Sequence, residues 1–350
     1  MNFAKIKQWF LDHNIYSLKF YKNGNRKLKR WLAIVFTTFV SFFLVLAIVI
    51  TAVAHSYLSL IDRPADFDHG NINPETDQKF DQVLNIMFYG IDSRDMTEIS
   101  RSDAIMLVTI DQPNNKIKMT SIARDTRVDI PGYGKDKINH AFANGWVSKG
   151  NIAGGAELSV KTINANFDLN VKNYVTANFW ALAHIIDYIG GVEVEVDSAE
   201  RNDINRNYIP HLQQMGIECE KITETGKVQL TGGQAVAYCR VRYVGGTTAR
   251  GERHQEVLMA LFEKAKSLNV AKYPELVSLI LKECSTSLSN SQIMSLGSWA
   301  VTNLSSLKFE TLGIPTAEMD YGETINGVWY HTYDLEKATD LIHKFILENE

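Results

Sequence analysis

Between Trp31 and Ala54 the chain runs for 24 residues, WLAIVFTTFVSFFLVLAIVITAVA, without a single charge, and after it the apolar residues come only in short runs. A stretch of that length crosses a hydrocarbon core of about 30 Å as a helix, so it predicts a transmembrane segment at 31–54. A cleaved signal peptide would want a shorter apolar region and a small-residue cleavage site. Residues 55–80 are polar and acidic and hold Pro64 and Pro74, the pattern of a spacer. The folded domain is expected over 81–350, with its core motifs in 81–268 and a C-terminal completion in 269–350.

Within that domain, Val83–Asp92 (VLNIMFYGID) predicts a buried strand with a polar tip. Ala104–Ile110 and Ile117–Ile122, around the turn cluster Asp111-Gln112-Pro113-Asn114-Asn115, predict a hairpin. The hairpin brings Arg101 and Asp103, before its first strand, to the same edge as Arg124 and Asp125, after its second. If the strand ending at Asp92 pairs parallel to the second hairpin strand, its tip joins them. Glu157–Phe167 and Asn178–Ile189 have helical patterning, and GGVEVEV from Gly190 alternates as a strand does. The expected fold is α/β, a mixed central sheet flanked by helices, behind one N-terminal transmembrane helix. Further on, AVAYCRVR reads as a strand, with Tyr238, Arg240 and Arg242 on one face and the two guanidiniums about 7 Å apart. ARGERHQEVLMALFEKAKSL predicts a helix with a threonine cap, and Arg250, Arg253 and His254 share a face near its start.

Composition narrows the class. With 350 residues, 45% hydrophobic, 22% charged and 3 Cys, the chain can build a core and is neither disordered nor disulfide-stapled. Cys219, Cys239 and Cys284 have no metal-ligand spacing and read as buried thiols. The net charge of −4 hides an asymmetry: residues 1–30 carry eight basic side chains against Asp12 alone, which leaves the remainder at −11. The basic segment 1–30 ahead of the span, with Asp62, Asp66 and Asp68 after it, puts the N-terminus in the cytoplasm and the domain outside the cell membrane. Basic charge there suits anionic lipid. An acidic domain of this kind is no natural nucleic-acid binder.

Against that acidic background, eight of the eleven arginines after residue 54 fall in a few segments: Arg94, Arg101, Arg124, Arg127, Arg240, Arg242, Arg250 and Arg253. Guanidinium forks suit phosphate oxygens, although any one of them taken alone reads as a surface ion-pair partner. Asp92 and Asp103 would supply carboxylate ligands to Mg²⁺, which keeps waters and takes phosphate oxygens as well; Mn²⁺ is the natural substitute. A metal beside arginines neutralises a pyrophosphate as its bridging bond breaks, so phosphoryl transfer or hydrolysis is the implied chemistry. Asp125 would serve as a general base or as the group that orients Arg124, and His140 as a substrate contact or a structural histidine. No Walker loop, H-E-x-x-H, G-x-S-x-G elbow or Rossmann fingerprint occurs.

GIDSRD, RSDAIML, SIARDT, KINHAFA, GGAELSVKTI, IGGVEVEV and LTGGQAVAYCRVR follow one another in the order seen in the LytR–CpsA–Psr family, and the chain resembles that family over about 81–268. The C-terminal TLGIPTAEMDYGETINGVWYH resembles the family's ending. The resemblance implies a single-pass surface protein of a Gram-positive bacterium. Such a protein moves a glycopolymer (teichoic acid, capsule or another secondary polysaccharide) from a polyprenyl-pyrophosphate carrier onto the N-acetylmuramic acid of peptidoglycan. It also implies Asp92 and Asp103 as Mg²⁺ ligands and Arg101, Arg124, Arg240, Arg242 and Arg250 as the pyrophosphate grip, with Arg94, Arg253 and Gln255 as further substrate contacts. The apolar helices after Gly154 would enclose the lipid tail. GGTTARGERHQ departs from the family's Asp followed by R-x-x-R-Q: Thr247 stands in place of the Asp, His254 stands where the Gln should be, and Gln255 follows one residue later. A lipid-pyrophosphate hydrolase and a non-catalytic scaffold of wall assembly are the competing functions.

Overall fold

The computed structural model describes residues 63–64, 66–92, 98–269, 272–319 and 321–348. The expected transmembrane segment at 31–54 and the basic segment before it lie outside the described residues.

Six strands form the central sheet, in the order β10-β3-β2-β1-β6-β9. The apolar run after Val83 becomes β1 (Leu84–Ile91), and the expected hairpin becomes β2 (Ser102–Asp111) and β3 (Lys116–Ile122). β1 pairs antiparallel with β2 and parallel with β6 (Asn173–Asn178), and β3 pairs parallel with β10 (Lys308–Ile314). The expectation that β1 lies directly against β3 is therefore corrected: β2 intervenes, yet β1 and β3 still run the same way and deliver their C-terminal tips to one edge. The register of β1 and β2 slips between Gly90 and Ile91, a bulge that re-aims the end of β1. Both edge strands, β9 (Cys284–Thr286) and β10, come from the C-terminal part, so the sheet is incomplete without 269–350.

Alternation along the strands sends Met87, Tyr89, Ile91, Ile105 and Leu107 to one face. That face is covered by α2 (Ile138–Lys149), α3 (Ile152–Phe167) and α11 (Leu335–Leu347), through Phe142, Trp146, Val160, Ile163, Phe167 and Ile342. The α2–α3 pair packs at backbone contact: a Cβ on Gly145 would stand 2.2 Å from the Gly154 carbonyl oxygen, which only glycine permits. Phe88, Val175 and Ala177 face the other way, toward α4 (Phe179–Ile189) and α9 (Tyr273–Glu283).

Residues 66–80, expected as the end of a spacer, belong to the packed body. Phe67 meets the Tyr174 ring at 4.9 Å, Asp68 pairs with Lys161 at 2.5 Å, and α1 (Pro74–Lys79), capped by Asn73, ends at the fully buried Phe80. Two aromatics spaced among polar residues gave no periodic signal.

The segment AVAYCRVR is helical, not extended. It forms most of α7 (Gly232–Arg240), which a capping box opens: Thr231 accepts from Gln234 N–H while Gln234 reaches back to the Thr231 amide. Gly232 seats the helix against the Ala183 carbonyl of α4, where a Cβ would stand 2.0 Å away. The other elements that matter below are the β4–β5 hairpin (Arg127–Ile130, Gly134–Lys137), α5 (Ser198–Asp203), the π-turn Ile204–Tyr208, α8 (Gly246–Lys266) and the β11–β12 hairpin (Tyr321–Ile325, Val328–Thr332). The last turns at Asn326-Gly327, both at positive φ, as a tight hairpin requires.

Lys118 on β3 is fully buried and donates to the carbonyls of Phe345, Ile346 and Glu348 at 2.8–2.9 Å, closing the C-terminus of α11. Lys118→Met keeps the stem and strands three carbonyls, so it is expected to cost about 2–4 kcal/mol, read as a lower urea midpoint with an unchanged slope.

Candidate functional site

The site lies where β1 and β3 end and β2 begins. Asp92 follows β1, Asp103 is the second residue of β2, and Arg124 and Asp125 follow β3. Arg240 closes the last turn of α7, where the helix dipole favours a cation, and Arg242 comes two residues later, past the helix end. Arg250 projects from α8. That helix starts at Gly246 after Gly245 (φ 72°) and has no side-chain cap, in place of the expected threonine cap.

Asp103 is the hub. Arg124 Nη1 donates to its Oδ1, Arg242 Nη2 stands 3.7 Å from Oδ2, and Arg250 Nη2 donates to its backbone oxygen at 3.0 Å. Burial alone would raise the Asp103 pKa, but the guanidiniums of Arg124, Arg250 and Arg242 outweigh it and hold the carboxyl below the ordinary carboxylate value. Asp92 takes a fork from Arg240, with both contacts at 3.3 Å, and the same guanidinium lies 4.9 Å over the Phe179 ring. Among the described residues, four guanidiniums thus gather around the carboxylates of Asp92 and Asp103, and these six groups carry a net charge of +2. Arg124 Nε is buried and makes no hydrogen bond; its nearest carboxylate oxygen is Asp125 Oδ2, at 3.4 Å.

Asp125 accepts from Lys137 Nζ at 2.8 Å. Burial pushes its pKa up, but the Lys137 hydrogen bond and Arg124 bring the net value down, so it is an ionised strut for Arg124. His140 gives its Nδ1 to Asp136 at 2.7 Å, a structural bond outside the basin. Arg101 stands exposed just before β2, one residue from Ser102 and two from Asp103. Arg94 lies outside the described residues.

Two expected contacts are committed elsewhere. Arg253 is buried against Glu200 at 2.8 Å and donates to the Val241 and Val244 carbonyls. Gln255 bridges the Met119 and Leu312 carbonyls and ties α8 to β3 and β10. Helix rotation explains this: residues four apart share a face, so Arg250 and His254 look at the site while Arg253 and Gln255 flank it.

His254 marks a threshold. On one side is a basin of about 360 Å³ lined by Asp103, Phe179, Asn207, Tyr208, Arg240, Arg242, Tyr243 and Arg250. On the other is an apolar cavity of about 180 Å³ between β1, β2 and β6 and the helices α4, α8 and α9. Phe179, Cys239 and His254 line both. Of the apolar helices after Gly154, α3 packs on the opposite face of the sheet, and α4 lines the cavity together with α8 and α9. Neither the cavity nor Tyr208 could be found from sequence. Tyr208 reaches the basin through a π-turn, where its hydroxyl accepts the Arg242 N–H at 3.0 Å.

Burial first, then Arg250, drives the His254 pKa down to about 3, and the neutral ring meets the Cys239 carbonyl through Nε2 at 2.9 Å. The sign follows from linkage: between the unfolded value of about 6.5 and the folded one, only the unfolded chain binds this proton, so stability falls as pH falls. From pH 7 to pH 5 the loss is expected to be about 2 kcal/mol, and His254→Gln should remove that share of the pH dependence in urea titrations.

Both carboxylates that were expected to hold Mg²⁺ are given to arginines in this structure, Asp92 to Arg240 and Asp103 to Arg124. No group of three or more His, Cys, Asp or Glu side chains that could hold a metal occurs among the described residues.

The LytR_cpsA_psr family model matches residues 44–345. The chain belongs to this family. Family relatives include TagU of Oceanobacillus iheyensis, named a polyisoprenyl-teichoic acid–peptidoglycan teichoic acid transferase. It is 31% identical over 286 residues, which cover 80% of each chain. TagT of Bacillus subtilis, with the same transferase name, is 29% identical over 332 residues, covering 91% of this chain and 95% of that one. The crystal structure of B. subtilis TagT superimposes with a TM-score of 0.57 at 26% identity, covering 82% of this chain and 98% of that chain. A structure of the family protein YwtF (TagT) with bound octaprenyl pyrophosphate lipid gives 0.55 at 28% identity, covering 77% and 92%. The mixed sheet with flanking helices is the family's fold.

Proposed function

We propose that this family member is a glycopolymer–peptidoglycan phosphotransferase anchored in the cell membrane. Residues 31–54 span it, the N-terminus is cytoplasmic, and the domain from 66 onward lies outside. One observation carries the reading: an arginine-rich basin adjoins, across Phe179, Cys239 and His254, an almost wholly apolar cavity. A polyprenyl pyrophosphate has that same division, an anionic head on a hydrocarbon tail. The relatives' transferase names and the octaprenyl pyrophosphate in a related structure support it.

In this reading Arg124, Arg240, Arg242 and Arg250, with Arg101 at the rim, hold the pyrophosphate, and Asp125 keeps Arg124 aimed. Asp92 and Asp103 would hold Mg²⁺, which when bound adds positive charge against the developing negative charge of the leaving group. A hydroxyl of N-acetylmuramic acid attacks the phosphorus next to the glycopolymer, and its proton passes to the departing phosphate. The bond to polyprenyl monophosphate breaks and a phosphodiester forms. Charge neutralisation by guanidiniums held in place before the reaction is the main catalytic contribution.

The test is to supply the full chain, in lipid nanodiscs with Mg²⁺, with a polyprenyl-pyrophosphate-linked labelled saccharide and soluble peptidoglycan strands. Label on the strands supports the transferase. Saccharide phosphate released to water, with the strands unlabelled, would replace it with a hydrolase, and an intact donor would leave a scaffold.

A further inference from the structure

The β11–β12 hairpin carries an indole with no role in the core. Trp329 is 42% exposed, yet its position is tightly defined. It lies over Gly322 on the neighbouring strand, where a Cβ would stand 2.8 Å from the indole Nε1 and Cζ2, so the missing side chain is what lets the ring lie down. The ring of His331, two residues along the same face, meets it edge-on at 4.5 Å and 75°. Thr324 stands directly opposite on the paired strand and gives the platform a hydroxyl neighbour. The tight Asn326-Gly327 turn holds both strands in register. A large aromatic that is half in solvent, flat and held on its inner side is a ready-made binding anchor.

The hairpin is also coupled to the reaction centre. His331 N–H donates to the Asp125 carbonyl at 3.0 Å, and Thr126 bridges the same residue. Asp125 is the residue that braces Arg124. From Trp329 to His331 is one strand repeat, about 7 Å, so the platform begins one repeat from backbone that is bonded to the anion site.

We propose that Trp329 is an acceptor subsite: a saccharide ring of the peptidoglycan glycan strand stacks on the outward face of the indole while a neighbouring sugar presents its hydroxyl at Arg124. This rests on the transferase reading, which requires a second, sugar-polymer substrate to reach the basin from solvent. A pyranose offers a face of C–H groups to an aromatic ring and hydroxyls to its edge, the chemistry that Trp329 and Thr324 present together. The lipid-linked donor is held by other residues, on α4, α7, α8 and the strand ends.

The test uses the full chain in nanodiscs and two titrations, one with soluble peptidoglycan glycan strands and one with a polyprenyl pyrophosphate, for wild type, Trp329→Ala, Trp329→Phe and Gly322→Val. The expected result is about tenfold weaker glycan binding for Trp329→Ala and for Gly322→Val, which tilts the ring, a smaller loss for Trp329→Phe, and donor affinity unchanged in all. In turnover the same variants should raise the KM for the glycan and leave kcat within about twofold. Glycan affinity equal to wild type in Trp329→Ala overturns the subsite and leaves the transferase reading standing. Loss of binding to empty anionic vesicles in that variant, with glycan binding kept, overturns it as well and assigns the indole to the membrane surface. If the wild type fails to bind the polyprenyl pyrophosphate, the transferase reading is what falls, whatever the glycan titration gives.

Discussion

Arg124→Ala should lower kcat/KM for transfer by about 10²–10³, equivalent to about 3–4 kcal/mol of lost transition-state stabilisation. Three features of the residue set that size. Its guanidinium bonds to Asp103, its buried Nε faces the Asp125 carboxylate at 3.4 Å, and Asp125 is itself held by Lys137. A donor preorganised in this way need not reorganise as charge develops on the phosphoryl oxygens. Arg124→Lys keeps the charge but loses the fork, and it should recover at most a minor part of the rate. Arg242 and Arg250 remain beside Asp103, so the fold should persist, and a thermal midpoint within a few degrees of wild type separates lost chemistry from lost structure. Full activity in a folded Arg124→Ala would remove the arginine basin from the mechanism.

Leu182→Trp attacks the other half of the site. Leu182 lines the apolar cavity from α4, and an indole there occupies space of about 180 Å³ that the reading gives to hydrocarbon. Each methylene excluded from such a space forfeits about 0.8 kcal/mol, so displacing four of them weakens a long-chain pyrophosphate by more than about 100-fold. A short, water-soluble pyrophosphate ester uses only the basin and should bind as it does to wild type. Filling an existing cavity costs little stability, within about 1 kcal/mol. The split between long and short ligands, measured by competition, is the readout; equal weakening of both would mean that the substitution disturbed the basin instead.

The strand periodicity of 83–122 was enough to place Asp103, Arg124 and Asp125 at one edge, because alternation and a proline–asparagine turn leave little freedom there, whereas Asp92 was joined to them through a pairing of β1 with β3 that the structure replaces with β2. At 232–240 the same period-2 reasoning failed. The run is short and apolar, a pattern that strands and buried helices share, and the deciding signal was Thr231 with Gln234, a capping box. The arginines still converged, because Arg240 at the end of the helix and Arg242 just past it both line the basin. Arg253 and Gln255 could not be sorted from Arg250 by spacing alone. The rotation of α8 is set by Gln255 reaching carbonyls on β3 and β10, contacts between residues far apart in sequence. The cavity was hidden for a similar reason: it lies between a sheet face and three helices, each of which reads as ordinary core.

The most direct measurement is to photolyse the full chain in nanodiscs with a polyprenyl pyrophosphate that carries a diazirine on its tail, and to map the labelled residues by mass spectrometry. Label on cavity residues such as Phe88, Val175, Leu182, Leu258 and Ile280, competed away by unlabelled polyprenyl pyrophosphate and lost in Leu182→Trp, is the expected result. Label confined to the opposite face of the sheet, under α2 and α3, or label that unlabelled lipid does not displace, would contradict it.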